Sequence, residues 1–279
     1  MKIKEALQMN GVKGTSPLAG CGAEPHGLWL LEKATGMTTT QLRLADENTV
    51  LEIEAERQFR HMIEQRDNGV PLQYILGEWD FMGIPIKCRP GVLIPRRDTE
   101  VLAEEAISFL KNKDKPVALD LCTGSGCVAI AIAGFCVHVT AADICREALE
   151  LAQENAELNG CQISLIESDL FENITGRFNC ITANPPYIPA DTIKTLSPEV
   201  RQEPEKALNG GPDGLDFYRA IIPQSKEYLT PGGGLFLEIG NTQGKEVKEI
   251  MHSNGFKAVV TVKDFEDRDR VVRGVYNVR

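Results

Sequence analysis

Four consecutive residues, Asn184-Pro185-Pro186-Tyr187, carry the most pointed chemistry in the sequence. Two prolines in a row fix φ and supply no N–H, and the residue before a proline is pushed into an extended conformation. Asn184 is thereby held still at the end of an apolar run, residues 178–183. Its side-chain oxygen and the Pro185 carbonyl can together accept both hydrogens of one planar –NH2 group. Tyr187 can pack on that group or close the site around it. Such acceptors strengthen their hold as the nitrogen gains positive character. The segment therefore suits a weakly nucleophilic nitrogen attacking an electrophile held in line with it. A strong base is not required, because the alkylated nitrogen becomes acidic and loses its proton to water.

A second constellation supplies a place for the electrophile. Asp120-Leu121-Cys122-Thr123-Gly124-Ser125-Gly126 follows the apolar run 117–121 and opens a helical pattern at 128–133. Gly124 and Gly126 let the backbone turn tightly and approach a ligand closely. Cys122 and Ala129 stand where a dinucleotide fingerprint needs glycines, and the Gly-Lys-Ser/Thr ending of a P-loop is missing. Asp120 would repel a pyrophosphate but suits a ligand bearing an ammonium and a sulfonium, as S-adenosylmethionine does. Asp143 ends the next apolar run and can accept both hydroxyls of a ribose, or cap the helix that follows. Asp169, in Ser168-Asp169-Leu170-Phe171, can accept an adenine amino group, with Leu170 or Phe171 against the ring. Each signal is modest alone. Three carboxylates falling in order at three strand ends are more telling.

The elements that must position these residues alternate. Strands are predicted at 117–121, 137–142, 162–166, 178–183, 234–238, 256–262 and 271–278, the fifth following a Pro231-Gly232-Gly233 turn. Helices are predicted from Asp98 and over 128–133, 146–158, 217–229 and 243–254. This pattern predicts an α/β fold with a mostly parallel, doubly wound sheet. The last two strands have no helix between them, so one is expected to run antiparallel. Ahead of this region, residues 28–34 and 50–65 repeat apolar residues at helical spacing, with Ile53, Phe59, Met62 and Ile63 as examples. Thr38-Thr39-Thr40 can supply an N-cap, and the Gly, Pro and Ser content of 10–26 predicts a loop. Trp79 to Ile86 is expected to form a hairpin turning near Gly83, with Val92-Leu93-Ile94-Pro95 extended after it. Three parts follow: a helical domain over 1–77, a hairpin linker over 78–97 and a catalytic domain over 98–279. The helical part reads equally as a plain bundle or as a substrate-docking module.

Composition narrows the function classes. The 279 residues are 42% hydrophobic and 25% charged, ordinary for a globular protein. No apolar run reaches the roughly 18 residues of a membrane span, and no apolar segment of a secretory signal follows Met1-Lys2-Ile3-Lys4. The net charge of −10 disfavours a nucleic-acid partner, although Arg96 and Arg97 form a local basic spot. Eight cysteines include no CxxC pair, and Cys122, Cys136 and Cys180 adjoin apolar runs. They are expected as buried free thiols in a reducing cytoplasm. The four histidines are scattered, and no metal site is expected.

Taken together the residues resemble the release factor glutamine methyltransferase family (HemK/PrmC), a branch of the class I methyltransferases. The resemblance runs from about Pro71 to the C-terminus. It includes Pro71-Leu72-Gln73-Tyr74-Ile75-Leu76-Gly77 and Val92-Leu93-Ile94-Pro95-Arg96-Arg97-Asp98-Thr99-Glu100. It continues through the glycine loop, Asp143, Ser168-Asp169 and Asn184-Pro185-Pro186-Tyr187-Ile188-Pro189 to Glu203-Pro204 and Asp267-Arg268-Asp269-Arg270-Val271. The Asn-Pro-Pro-Tyr element alone is shared with adenine and other amine or amide methyltransferases.

The resemblance implies a Rossmann-like seven-stranded sheet behind a small helical domain and a hairpin. It implies S-adenosylmethionine as cofactor, with S-adenosylhomocysteine as product and no metal. It also implies methylation of the glutamine in the Gly-Gly-Gln motif of class I peptide chain release factors by a cytoplasmic monomer, without stable nucleic-acid binding. Carried over, Cys122, Thr123, Gly124, Ser125, Gly126, Asp143, Leu170 and Asn184 would contact the cofactor, and Asn184 to Tyr187 would hold the glutamine. The sequence departs from the family at Arg97, often proline, at Cys122, commonly glycine and tolerable here if its φ is negative, and at Leu170, an aromatic in some members.

Competing readings are an adenine-N6 methyltransferase, which should show a basic groove and a means of base flipping, and a glutamine methyltransferase of a ribosomal protein. A non-catalytic relative should have lost Asn184 or the glycine loop, and both are intact.

Overall fold

The computed structural model describes residues 1–7, 26–46 and 48–277. These form two compact units, one of residues 1–78 with 197–202 and one of residues 79–196 with 203–279.

Among the described residues of the first unit, five helices pack around an apolar core: α1 (Ile3–Leu7), α2 (His26–Thr35), α3 (Thr39–Leu44), α4 (Ile53–Asp67) and α5 (Leu72–Leu76). Leu30, Leu31, Phe59 and Leu72 are fully buried in it. Thr38 caps α3 in a reciprocal box with Gln41, satisfying two N–H groups the helix leaves unpaired. Val50 pairs with Lys2 as an isolated bridge, so α4 begins only at Ile53, later than its periodicity predicts. Most of the loop expected over 10–26 lies outside the described residues, and His26 itself opens α2. Arg66 and Glu199 form a largely buried ion pair in this unit. Burial, then the Arg66 charge, holds His26 below its ordinary pKa.

A hairpin follows, β1 (Glu78–Phe81) and β2 (Ile84–Lys87), which apart from Glu78 belongs to the second unit. It turns at Met82-Gly83, both at positive φ, as the twist of a two-residue hairpin requires. A seven-stranded sheet follows, built from β3 (Val117–Leu121), β4 (His138–Asp143), β5 (Ser164–Glu167), β6 (Phe178–Ala183), β7 (Leu229–Glu238), β8 (Lys257–Lys263) and β9 (Asp269–Tyr276). Their order is β5-β4-β3-β6-β7-β9-β8. β9 is antiparallel to both neighbours, the reversal expected where two strands follow each other without a helix.

Five helices cover the sheet: α6 (Arg97–Leu110), α7 (Cys127–Ala133), α8 (Arg146–Leu158), α9 (Asp216–Tyr228) and α10 (Gly244–Ser253). Strand period two assigns the faces. Ala118, Cys180 and Phe236 pack with α6 and α7, whereas Leu119, Ile181 and Leu237 pack with α9 and α10. One prediction needs correction. Pro231-Gly232-Gly233 is no turn ahead of a strand, because β7 runs through it from Leu229. Gly232 has positive φ and the pairing with β6 shifts register between Phe178 and Cys180, so the glycines serve an irregularity inside the strand.

Candidate active site

β4, β3 and β6 lie side by side, all parallel, so their carboxyl ends open on the same edge. There Asp143, Asp120 and Asn184 line a cavity of about 460 Å3. Cys122, Thr123, Gly124, Ser125, Asp169, Leu170 and Pro186 line it too. Gly126, Pro185 and Tyr187 stand outside the lining, as does Phe171. The last is fully buried and stacks on Tyr228 at 4.6 Å, so of the two residues expected against a ring only Leu170 reaches the cavity.

The glycine loop is held by the carboxylates beneath it. Asp120 is buried and accepts hydrogen bonds from the Thr123 hydroxyl at 2.6 Å and the Thr182 hydroxyl at 2.7 Å. Burial pushes its pKa up to about 6, against the pull of those two bonds. Asp143 accepts the Gly124 N–H on one oxygen and the Cys145 N–H on the other, each at 2.9 Å. It thus ties the loop to the turn just before α8, without capping that helix, whose N-cap is Cys145 with no side-chain cap bond, and each oxygen keeps a lone pair for a ligand. Burial raises its pKa as well. Gly126 caps α7 at φ 79, and a Cβ there would meet Ala152 Cβ at 3.0 Å.

The condition attached to Cys122 is not met: its φ is 54, and Leu170 has φ 47. A residue other than glycine in this region costs on the order of 1–2 kcal/mol, and such strain gathers where ligands are clamped. Cys122→Gly is expected to remove it and, after glycine's extra unfolded-state entropy, to raise Tm by about 1–2 °C. A thermal melt of the two proteins checks this, and a lowered Tm would mean that the thiol's packing outweighs the strain. The cysteines are otherwise only partly as expected. Cys88, Cys127 and Cys180 are buried, whereas Cys122, Cys136, Cys145 and Cys161 are half-buried.

Asn184 Nδ2 donates to the Thr99 hydroxyl at 3.2 Å. That bond fixes which end of the amide is spent and leaves Oδ1 as acceptor. Thr99 sits in the first turn of α6, whose N1 residue is Arg97, so a family proline there would fill an ordinary proline position. The chain leading in, residues 91–96, lines the cavity. It is anchored by Glu203, whose side chain is fully buried: Ile94 N–H donates to Oε2 at 3.1 Å, and Arg96 pairs with Oε1. Arg96 Nη1 is buried without a hydrogen-bond partner among the described residues.

The segment after Asn184 is clasped from behind. Ile188 N–H donates to Leu208 O and Gly210 N–H returns to Ile188 O, both at 2.9 Å. A Cβ on Gly210 would stand 2.7 Å from Tyr187 Cα, so only glycine allows this approach. Gln243 Nε2 donates to Tyr187 O at 3.0 Å, and the Tyr187 hydroxyl donates to Glu238 Oε1 at 3.4 Å.

The sequence assigns Thr99 no role and leaves open whether Glu203 and Glu238 do more than cap helices and pair charges. The usable signal for Glu238 was its place as a further carboxylate ending a strand of the central sheet. Among the described residues no group of His, Cys, Asp and Glu is arranged to hold a metal, and no helix is long and apolar enough to cross a membrane.

A sheet of this order with one reversed strand, opening on a cavity lined by carboxylates, defines a class I methyltransferase. The methyltransferase small domain family matches residues 98–212, and the PrmC N-terminal domain family matches residues 23–77. The release factor glutamine methyltransferase of Geobacter sulfurreducens is 42% identical over 250 residues, spanning 88% of this chain and 87% of that protein. That of Thermodesulfovibrio yellowstonii is 41% identical, spanning 83% and 86%. A methyltransferase structure from Pyrococcus furiosus shares the fold at TM-score 0.55 and 19% identity, over 80% of this chain and 100% of its own. The chain belongs to the release factor glutamine methyltransferase family.

Proposed function

We propose that this enzyme uses S-adenosylmethionine to methylate the side-chain amide nitrogen of the glutamine in the Gly-Gly-Gln motif of class I release factors. The observation that carries the proposal is the orientation of Asn184. With Nδ2 spent on Thr99, the side chain offers an acceptor oxygen at the cavity where an amide –NH2 needs one.

The cavity suits the cofactor on its own chemistry. Asp120, Asp143 and Asp169 offer carboxylates to a cation and a diol, and Arg96 Nη1, buried and unpartnered, is placed to take a carboxylate. The cofactor would supply an electrophilic methyl on a positively charged sulfur. Cys122, Gly124 and Ser125 would hold it along the loop, Asp143 its ribose, and Asp169 and Leu170 its adenine. Asn184 Oδ1 and the Pro185 carbonyl would accept the two amide hydrogens and hold the nitrogen lone pair toward the methyl. Pro186 would stiffen that acceptor pair, and Tyr187, tied to Glu238 and Gln243, would fix its far end. One proton then leaves the nitrogen for water. The first unit we assign to docking of the release factor, and the enzyme is taken to act as a cytoplasmic monomer.

With labelled cofactor, the purified enzyme is expected to label a class I release factor and not a variant whose motif glutamine is alanine. Equal labelling of that variant, or labelling of DNA alone, would overturn the proposal.

A further inference from the structure

Behind Asn184 lies a buried carboxylate that the proposed reaction does not use. Glu238 ends β7 and is 1% exposed. Oε1 accepts from the Tyr187 hydroxyl, and Oε2 is buried with no hydrogen-bond partner among the described residues. Thr99, itself 2% exposed, lies against this carboxylate and stabilises its ionised form. Thr99 Oγ1 already accepts the Asn184 Nδ2 hydrogen. Its one proton is therefore directed away from Asn184, and the carboxylate is the acceptor beside it.

We propose that ionised Glu238 sets the direction of the hydrogen-bond chain through Thr99 to Asn184, so that Asn184 presents its oxygen to the nitrogen being methylated. Glu238 is then a positioning residue, and the inference rests on the role given above to Asn184. An ionised carboxylate can only accept. It draws the Thr99 proton, Thr99 Oγ1 receives the Asn184 amide, and Oδ1 is left for the substrate. A protonated Glu238 can donate instead. The Thr99 proton is then free to turn to Asn184, whose amide answers by rotating. Its NH2 would then face the NH2 of the substrate, two donors with no acceptor between them.

The groups facing Glu238 come from five sides. Arg270 on β9 favours the anion, Asp98 on α6 opposes it, and Tyr187 donates to it. The Tyr218 hydroxyl on α9 donates to the Glu238 backbone carbonyl at 2.9 Å. Cys127 on α7 feels its charge. Arg270 is itself shared with Asp98 at 3.0 Å and Asp264 at 3.2 Å, so its charge is divided. Burial outweighs these partners and pushes Glu238 up to about 7. The chain is thus set to reverse within the neutral range, with the active direction on the alkaline side.

The test is kcat against pH at saturating cofactor and release factor, for wild type, Glu238→Gln, Glu238→Asp, Thr99→Val and Thr99→Ser. Wild-type kcat should rise as pH passes about 7 and then level off. Glu238→Gln keeps an acceptor for Tyr187 but can donate to Thr99. It should lose roughly 10- to 100-fold in kcat with no dependence on pH in this range. Cofactor affinity by calorimetry and KM for the release factor should change by less than about threefold. Thr99→Val should lose the same pH limb, while Thr99→Ser and Glu238→Asp should keep it. A merely structural Glu238 would move stability and leave the limb in place.

Wild-type kcat in Glu238→Gln, or a limb that survives in either Glu238→Gln or Thr99→Val, would overturn the inference. If Glu238→Gln does not fold, Thr99→Val decides. Titration of Asp120 is separable because it acts on cofactor affinity and vanishes at saturation. Asn184→Ala, run alongside, separates the two layers. If it retains turnover, the role of Asn184 fails. If it loses turnover while Glu238→Gln does not, only the present inference fails.

Discussion

Asn184→Ala is expected to lower kcat by about 10²- to 10³-fold while leaving cofactor affinity nearly unchanged. The expectation follows from what the side chain touches. Asn184 is half-buried at the end of β6, and its one side-chain hydrogen bond in this structure goes to Thr99. In the proposed reaction, removing it would delete an acceptor aimed at a developing positive charge, an interaction made mainly in the transition state. The contacts proposed for the cofactor, from the loop between Cys122 and Ser125 and from Asp143 and Leu170, would remain. Removing the Asn184 amide also leaves the Thr99 hydroxyl without a donor, which costs local order but no buried charge. Calorimetry with S-adenosylmethionine and single-turnover methylation measure the two quantities separately. A variant with wild-type turnover would refute the role given to the amide.

Glu203→Ala should be the most destabilising of the single changes considered. The Glu203 side chain is 0% exposed and the Arg96 side chain 17% exposed. Removing the acid strands a guanidinium that already has one unpartnered nitrogen, and it also strips the Ile94 N–H of its acceptor. Breaking one partner of a buried pair costs about 3–5 kcal/mol, equivalent to a Tm roughly 10 °C lower for a domain of this size. The pair as a whole is worth much less, because burial charges both ions a desolvation cost. Arg96→Met combined with Glu203→Leu should therefore recover most of the lost stability. That double variant should still bind cofactor weakly, since it lacks the free Arg96 nitrogen assigned to the carboxylate. Thermal melts and cofactor titrations on both variants separate the structural share of Arg96 from its share in binding. A Glu203→Ala melt within about 1 °C of wild type would contradict the account.

The parts of the fold readable in the sequence are those governed by local periodicity. β3, β4 and β6 are short apolar runs, and each ends at or beside a polar residue that faces the cavity. The order Asp120, Asp143, Asn184 therefore maps onto adjacent strands once a parallel sheet is assumed. What was not readable depends on distant partners. Thr99 meets Asn184 across 85 residues, and Arg96 meets Glu203 across 107. No periodicity encodes such pairings. The stretch from Ala190 to Ala207 holds three short 3-10 helices whose apolar residues repeat with no helical or strand period. Cys122 misled for a different reason. Residue type predicts negative φ, but the Thr123 N–H bonded to Ala142 O at 3.0 Å and the Gly124 N–H bonded to Asp143 bend the loop into a conformation that side chain disfavours.

That cysteine raises a question of self-harm. A pocket proposed to hold a methylating agent has a thiol in its wall, and a thiolate would be a better nucleophile than any amide. Burial holds the Cys122 thiol well above its ordinary pKa, and Asp143, Asp120 and Asp169 push it further in the same direction. The carboxylates that make the pocket hospitable to a cation thus also keep its own sulfur protonated and inert. On the proposed placement, the enzyme would load an alkylating reagent beside a cysteine and spend it on the incoming substrate.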